Sequence, residues 1–287
     1  PKAGVPVAAP LADPLAEPAT ESPSSPLLLA PAPHVLVTGA ARGIGAAVAR
    51  RLAADGWRVS LLGRNRDALH AVEATLAPGQ HLVVVADVTD EAQVQAAFTE
   101  ARAVLGPLSA LVNNAGAAES APFAKTRRAT WDRMLAINLT GAFICSQAAL
   151  PDLRSRRATG GQGRLVNIAS TAGQRGYPYV AAYVAAKHGL VGLTRALALE
   201  LAAEGVTVNA VCPGFTDTDL LADSVERIVE KTGRSADAAR AALAAHNPQG
   251  RLVQPAEVAA AVAWLLGDGA AAITGQCLSV SGGEVMA

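Results

Sequence analysis

Two side chains that can exchange a proton stand four residues apart in an otherwise apolar stretch, AAYVAAKHGLVGLTRALALELAAEG, residues 181–205. Residues i and i+4 of a helix face the same way, so Tyr183 and Lys187 are expected to present a phenol and an ammonium side by side. A phenol has a pKa of about 10, and a neighbouring positive charge lowers it by stabilising the anion. The spacing alone is weak, because Tyr and Lys also fall four residues apart by chance.

Two polar residues upstream strengthen the interpretation. Ser170 ends the run GRLVNIAS, thirteen residues before Tyr183, and its hydroxyl is suited to hold a carbonyl oxygen. Asn138, in MLAINLTG, falls in a long predicted helix, where its amide can hold a water molecule of a proton relay. We therefore predict a catalytic set of four residues, Asn138, Ser170, Tyr183 and Lys187, that transfers a proton to or from a substrate oxygen.

A glycine-rich run, VLVTGAARGIGAAVARRLAADG, lies between a predicted strand and a predicted helix. Its glycines Gly39, Gly43 and Gly45 allow a tight turn and a close approach of the backbone to a pyrophosphate at the helix N-terminus. Because strand and helix flank the glycines as the motif requires, the run predicts a dinucleotide site.

The second predicted strand ends in SLLGRNRDAL, which offers Arg64 and Asn65 where an NAD site usually has a carboxylate. An arginine can pair with a 2′-phosphate, and Arg42 in the glycine loop can reach the same group. The sequence therefore favours NADP(H), with NAD(H) as the alternative. Further cofactor contacts are predicted at the ends of later strands and in the glycine loop: Ile44, Asp87, Val88, Asn114, Ala115, Gly116, Tyr183, Lys187, Pro213, Gly214, Thr216 and Thr218. No metal site is predicted.

The elements that must position these residues are short runs rich in Val and Leu, alternating with helical patterns from residue 34 onward. The runs do not alternate polar with apolar residues, which is typical of strands buried on both faces of a parallel sheet. The pattern predicts one α/β domain, residues 34–287, with a doubly wound parallel sheet flanked by helices. Residues 216–250 read as two helices without a strand between them, and we predict that they form a substrate lid.

The composition of the chain and of its first residues limits the classes of protein to which it can belong. Residues 1–33 hold nine of the seventeen prolines and are expected to form a flexible extension. The net charge is zero, which gives no support for a nucleic-acid partner. The longest apolar runs, such as 258–267, are shorter than the about 18–20 residues of a membrane span. The three scattered cysteines, Cys145, Cys212 and Cys277, suggest reduced thiols in a cytoplasmic protein.

Taken together, TGAARGIG, NNAG, Asn138, Ser170, Tyr183-x-x-x-Lys187 and the Pro-Gly turn after NAVC resemble the short-chain dehydrogenase/reductase family. The resemblance covers residues 34–287. It implies a Rossmann-type sheet of about seven strands, a Ser-Tyr-Lys-Asn tetrad, and a homotetramer or homodimer packed through the long helices and the last strand. The proline-rich arm departs from the compact family pattern.

Within the family, stretches such as GRLVNIAST and GVTVNAVCPGF are most similar to 3-oxoacyl-thioester reductases and aromatic-polyketide ketoreductases. That likeness implies reduction of a small or thioester-linked ketone with NADPH. An NAD-dependent dehydrogenase of a hydroxyacyl-CoA or another secondary alcohol remains open, as do a non-catalytic nucleotide sensor and an extended-type nucleotide-sugar enzyme. Arg175 either meets an anionic carrier, such as a CoA phosphate, or lies on the surface, whereas Tyr177 and Tyr179 either line the pocket or simply pack.

Overall fold

The computed structural model describes residues 32–286 of the chain. The predicted extension, residues 1–33, lies almost entirely outside this range. Within it, seven strands form one parallel sheet in the order β3-β2-β1-β4-β5-β6-β7. The strands are β1 His34–Thr38, β2 Arg58–Gly63, β3 His81–Val85, β4 Ala110–Asn113, β5 Gly163–Ile168, β6 Val206–Pro213 and β7 Cys277–Val280. The prediction of one doubly wound parallel sheet is confirmed.

Helices cover both faces of the sheet. They are α1 Gly43–Ala54, α2 Arg66–Glu73, α3 Glu91–Leu105, α4 Arg128–Leu135, α5 Gly141–Ser155, α6 Ala181–Leu201, α7 Asp219–Thr232, α8 Ala236–Ala244 and α9 Pro255–Leu266. Successive strand residues enter opposite cores: Val35 and Val37 pack with side chains of α1 and α9, whereas Leu36 packs with side chains of α3 and α5. Both faces are apolar, which explains why the strands show no polar alternation.

The order of the strands creates the crevice in which ligands of such sheets bind. From β1 the chain passes through α1 to β2 on one side, whereas β4 pairs with β1 on the other side. The connections leave β1 and β4 in opposite directions, so a cleft opens beyond their carboxyl ends. The glycine loop, the NNAG run, Ser170 and the Pro-Gly turn all follow strands at this edge.

The helical stretch 128–159 differs from the sequence expectation, because by length and composition it could cross a membrane. In the structure its apolar side chains Cys145, Ala149 and Leu153 pack in the core formed with α3 and the sheet. This packing accounts for its hydropathy, since a long helix that covers a sheet needs a wide apolar face.

The segment 216–250 forms α7 and α8, which pack on each other around Leu221, Val225 and Ala239. It follows β6 directly and returns to the main domain where Thr216 bridges to Val253. The two helices therefore lie beyond the carboxyl end of β6. Their role as a lid stays a prediction.

Candidate active site

The glycine loop is shaped by the chain segment that follows β4. A Cβ atom on Gly45 would lie 2.3 Å from the carbonyl oxygen of Gly39, and one on Gly39 would lie 2.8 Å from Cα of Ala115. Gly39 also has a φ of 65°, in the left-handed region. Both positions therefore need glycine for steric reasons.

Asn114 locks this arrangement. Its side-chain nitrogen donates to the carbonyl oxygens of Thr38 at 2.9 Å and Gly39 at 3.1 Å. The Thr38 hydroxyl accepts from the backbone N–H groups of Asn114 and Ala115 at 2.9 and 3.0 Å. Thr38 is a contributor that the sequence reasoning missed, although its position directly before Gly39 was a signal.

Helix α1 begins at Gly43, and no side chain caps its N-terminus. Its first N–H groups thus carry the partial positive charge that binds a phosphate. The Thr218 methyl group lies 3.3 Å from the position of a Cβ on Gly43, so the turn after β6 meets the glycine loop here. Ile44 is partly buried against the core. The bare helix end and the glycine cradle fit the pyrophosphate of a dinucleotide.

The two predicted phosphate-binding arginines are exposed and form weak ion pairs. Arg64 lies 3.6 Å from Asp87, and Arg42 lies 3.7 Å from Asp219. Exposed pairs of this length contribute little, so both guanidinium groups can turn to a phosphate. Asn65 caps α2, because its side-chain oxygen accepts from the N–H of Ala68 at 3.0 Å, and its contact with the cofactor stays a prediction.

Asp87 is built into the turn after β3. Burial acts to raise its pKa, but hydrogen bonds from the backbone and hydroxyl of Thr89, with the nearby Arg64, outweigh it and hold the pKa below the usual value. Val88 is buried against Gly141, where a Cβ would come within 2.7 Å of it. Val88 therefore closes the side of the cleft next to α5.

The catalytic candidates meet at the carboxyl end of β5. The Ser170 side chain lies near enough to the Tyr183 hydroxyl to act on its pKa, and the Ser170 hydroxyl accepts from the backbone N–H of Ala172 at 3.1 Å. Lys187 is only 4% exposed, and its Nζ lies 5.7 Å from the centre of the Tyr183 ring. The predicted pairing on one face of α6 is present.

The protonation states depart from the sequence argument. Burial raises the pKa of Tyr183, and the nearby Ser170 side chain only partly opposes it. Burial also lowers the pKa of Lys187 to about 8. The depression of the tyrosine pKa that we expected from Lys187 is thus not found in the protein alone. Tyr183 is a neutral phenol, the form that donates a proton.

Asn138 lies in a π-helical turn, Ala136–Thr140, between α4 and α5. Its side chain donates to the carbonyl of Ala117 at 2.9 Å and to that of Met134 at 3.0 Å, and accepts from the N–H of Ala117 at 3.2 Å. A Cβ on Gly116 would lie 3.0 Å from the Asn138 oxygen and 3.7 Å from Lys187 Nζ. Asn138 therefore anchors the chain after β4 beside the lysine, and its water-holding role stays a prediction.

The turn after β6 completes the site. The N–H of Gly214, which follows Pro213, donates to the carbonyl of Val280 at 3.0 Å. The Thr216 hydroxyl donates to the carbonyl of Gly214 at 2.9 Å, and the Thr218 hydroxyl to that of Thr216 at 3.3 Å. These bonds hold the turn between the glycine loop and the catalytic side chains.

Comparison with known proteins agrees with this geometry. A family model described as "Enoyl-(Acyl carrier protein) reductase" matches residues 39–284. The chain is 38% identical over 252 residues to the 3-oxoacyl-acyl-carrier-protein reductase FabG of Escherichia coli, covering 88% of this chain and 96% of FabG. It is 42% identical over 251 residues to cis-4-hydroxycyclohexanecarboxylate dehydrogenase of Sinomonas cyclohexanicum, covering 86% and 94%.

A crystal structure of a variant of actinorhodin polyketide ketoreductase with NADPH superposes with a TM-score of 0.82 at 40% identity, over 88% of this chain and 97% of that chain. These matches cover most of both chains, and they support the same assignment as the sheet order and the Ser-Tyr-Lys geometry described above. The protein therefore belongs to the short-chain dehydrogenase/reductase family of oxidoreductases.

Proposed function

We propose that the protein reduces a ketone to a secondary alcohol with NADPH, and that its substrate is a 3-oxoacyl thioester. The observation that carries this proposal is the proximity of the Ser170 side chain to the neutral Tyr183, with buried Lys187 5.7 Å from the Tyr183 ring on the same helix face. Two hydroxyls at one point can both bind a carbonyl oxygen. When bound, the reduced nicotinamide supplies the hydride.

The protein's own residues orient the carbonyl and deliver the proton. The hydroxyls of Ser170 and Tyr183 donate to the substrate oxygen, where negative charge develops as the carbonyl carbon is reduced. Tyr183 then gives up its proton to that oxygen. Lys187, protonated below its pKa of about 8, stabilises the resulting phenolate. Asn138 supports a water that restores the proton through Lys187.

The cofactor preference rests on Arg42 and Arg64. Both guanidinium groups are exposed beside the glycine loop and the end of β2, and their present carboxylate partners lie more than 3.5 Å away. A 2′-phosphate offers them a doubly charged, bidentate partner. The actinorhodin ketoreductase structure with NADPH supports the same preference.

Two other reactions have specific support. The matching family model is described as an enoyl reductase, which favours reduction of a C=C bond. The likeness to a cis-4-hydroxycyclohexanecarboxylate dehydrogenase favours oxidation of an alcohol. The pair of hydroxyls suits both reductions, because an enoyl thioester also carries a carbonyl oxygen that accepts hydrogen bonds. Rates with the two thioesters decide between them.

Initial rates of NADPH and NADH oxidation with acetoacetyl-CoA, and with crotonyl-CoA in parallel, separate these functions. We expect fast loss of NADPH with acetoacetyl-CoA only. Tyr183→Phe is expected to abolish turnover while NADPH binding, followed by fluorescence, is kept. Preference for NADH, turnover of crotonyl-CoA, or full activity of Tyr183→Phe would each overturn the proposal.

The assembly and location follow from the same proposal. We infer a homotetramer or homodimer in the cytoplasm, packed through α5, α6 and β7. Apolar side chains on these elements are exposed in the single chain: Phe143, Leu199 and Leu278. Light scattering after gel filtration measures the mass, and a monomer at micromolar concentration would contradict the proposed assembly.

A further inference from the structure

Three aromatic side chains converge beside Thr171, the residue after Ser170, in a chain that has only four Phe, three Tyr, three Trp and five His. The rings of Tyr177 and Phe215 meet edge to face at 6.0 Å, and His246 lies 6.3 Å from Tyr177 and 5.0 Å from Phe215. They come from the loop after β5, the turn after β6 and the chain two residues beyond α8. We call these three residues the aromatic wall, which stands between the catalytic loop and the two-helix segment.

The chain after β7 packs against the segment that carries the aromatic wall. Gly282 has a φ of 61°, and a Cβ there would collide with the Asn247 side chain at the end of the two-helix segment. Asn247 is buried and accepts from the N–H of Gln249 at 2.9 Å. The N–H of Glu284 donates to the carbonyl of Ser281 at 3.3 Å. This close packing holds Glu284 in place beside Tyr177.

Glu284 brings a carboxylate into the wall. The Tyr177 hydroxyl donates to one carboxylate oxygen of Glu284, and it lies 2.8 Å from the Thr171 hydroxyl. Burial raises the pKa of Tyr177, and the Glu284 carboxylate adds to the shift, so this phenol stays protonated and does not compete with Tyr183 as an acid.

The other carboxylate oxygen, Oε2, is buried and has no hydrogen-bond partner among residues 32–286. It lies 2.9 Å from the position of a Cβ on Gly214, directly after β6. Within the same range no Lys, Arg or His nitrogen lies within 4.0 Å of the carboxylate. Arg175 stands 5.1 Å from the Tyr177 ring but is exposed, where water and salt screen its charge.

We propose that Glu284 is a specificity-determining residue, which restricts the enzyme to ketones that place an uncharged group on the aromatic wall. This inference rests on the proposed ketone reduction and names the substrate class of that site. A partly buried carboxylate without a counter-ion repels a second carboxylate more strongly than an exposed one does. Aromatic faces meanwhile favour a ring.

The inference separates this protein from its relative in Sinomonas cyclohexanicum, whose substrate carries a carboxylate on a ring. The test compares 4-oxocyclohexanecarboxylate with its methyl ester, which differ in charge and little in shape. We expect kcat/KM with NADPH to be at least about tenfold higher for the ester, because the Glu284 carboxylate repels the negative charge of the acid and not the neutral ester.

Variants test whether Glu284 causes the difference in kcat/KM between the ester and the acid. Glu284→Gln removes the charge and keeps an acceptor for Tyr177, so the ester-to-acid ratio of kcat/KM should fall toward one. Glu100→Gln, which changes an exposed carboxylate on α3, should leave the ratio unchanged. Tyr177→Phe keeps the charge of Glu284 but frees its side chain, and the ratio should remain above that of Glu284→Gln.

The same experiments distinguish failure of the Glu284 inference from failure of the proposed ketone reduction. Equal kcat/KM for acid and ester in the unaltered enzyme overturns the inference without any variant. So does an unchanged ratio in Glu284→Gln, or reduction of acetoacetyl-CoA without reduction of either ring. If NADPH is oxidised with none of the ketones, including acetoacetyl-CoA, the proposed function itself fails.

Discussion

The Lys187 ammonium nitrogen lies 2.8 Å from the carbonyl oxygen of Ile168, the last residue of β5 and two residues before Ser170. This hydrogen bond ties α6 to the strand that carries the serine. It fixes the distance between the two halves of the catalytic set without using the Tyr183 hydroxyl. The same hydrogen bond partly replaces the water contacts that the lysine ammonium loses when it is buried.

Replacement of this lysine should separate catalysis from stability. Burial lowers its pKa from 10.5 to about 8, so holding it charged at pH 7 costs about 3 kcal/mol. Lys187→Met should therefore reduce kcat by at least about 100-fold while the midpoint of thermal unfolding stays equal or rises. A variant that loses both activity and stability would show that the lysine is structural. Parallel calorimetry and initial rates decide this.

The pKa of Lys187 also predicts how kcat/KM for ketone reduction depends on pH. Lys187 is protonated below pH 8 and neutral above it, and only the protonated form stabilises a phenolate on Tyr183. The kcat/KM for ketone reduction at saturating NADPH should therefore fall as pH rises through about 8. A profile that stays flat to pH 9.5 would exclude this role. The residual activity of Lys187→Met should not show this fall with pH.

The sequence was sufficient for the sheet and for the identities of most candidate residues, because strand runs and motif spacing are local properties. It was not sufficient for the pKa of Tyr183, which depends on how deeply α6 is buried. Glu284 and Tyr177 are 107 residues apart in the chain, so no spacing rule connects them. The capping role of Asn65 was accessible, since Asn often precedes a helix.

Cofactor preference should depend on charge at the end of β2. Arg64→Glu places a carboxylate where a 2′-phosphate would bind, so KM for NADPH should rise at least about tenfold while KM for NADH changes little. Arg66→Glu is the matched control, because Arg66 is also an exposed arginine and lies two residues further on. An equal effect of both variants would indicate a general change in surface charge.

The glycine cradle predicts a steric effect on cofactor binding. In Gly45→Ala the new methyl group would lie 2.3 Å from the Gly39 carbonyl oxygen, so the loop must shift. NADPH affinity, measured by fluorescence titration, should fall at least about tenfold, as expected for the loss of one or two phosphate contacts. Gly269→Ala, in the segment after α9, is the control, since a Cβ there meets no atom within 4 Å. Unchanged affinity in Gly45→Ala would contradict the proposed phosphate site.

Acid sensitivity should arise from His34, at the start of β1. The ring is fully buried between the Gly106 carbonyl at 2.8 Å and the Ser60 hydroxyl at 2.9 Å, and burial lowers its pKa to about 4. The folded state binds the proton less readily than the unfolded state, whose histidine has a pKa of about 6.5. The stabilisation is complete above pH 6.5 and declines as pH falls toward 4, by about 3 kcal/mol. Urea unfolding at pH 4.5–7 measures how the free energy of unfolding changes with pH.

This pH dependence should become smaller in His34→Gln. It should persist in His70→Gln, which changes an exposed histidine on α2. An undiminished pH dependence in His34→Gln would place the acid-sensitive group elsewhere.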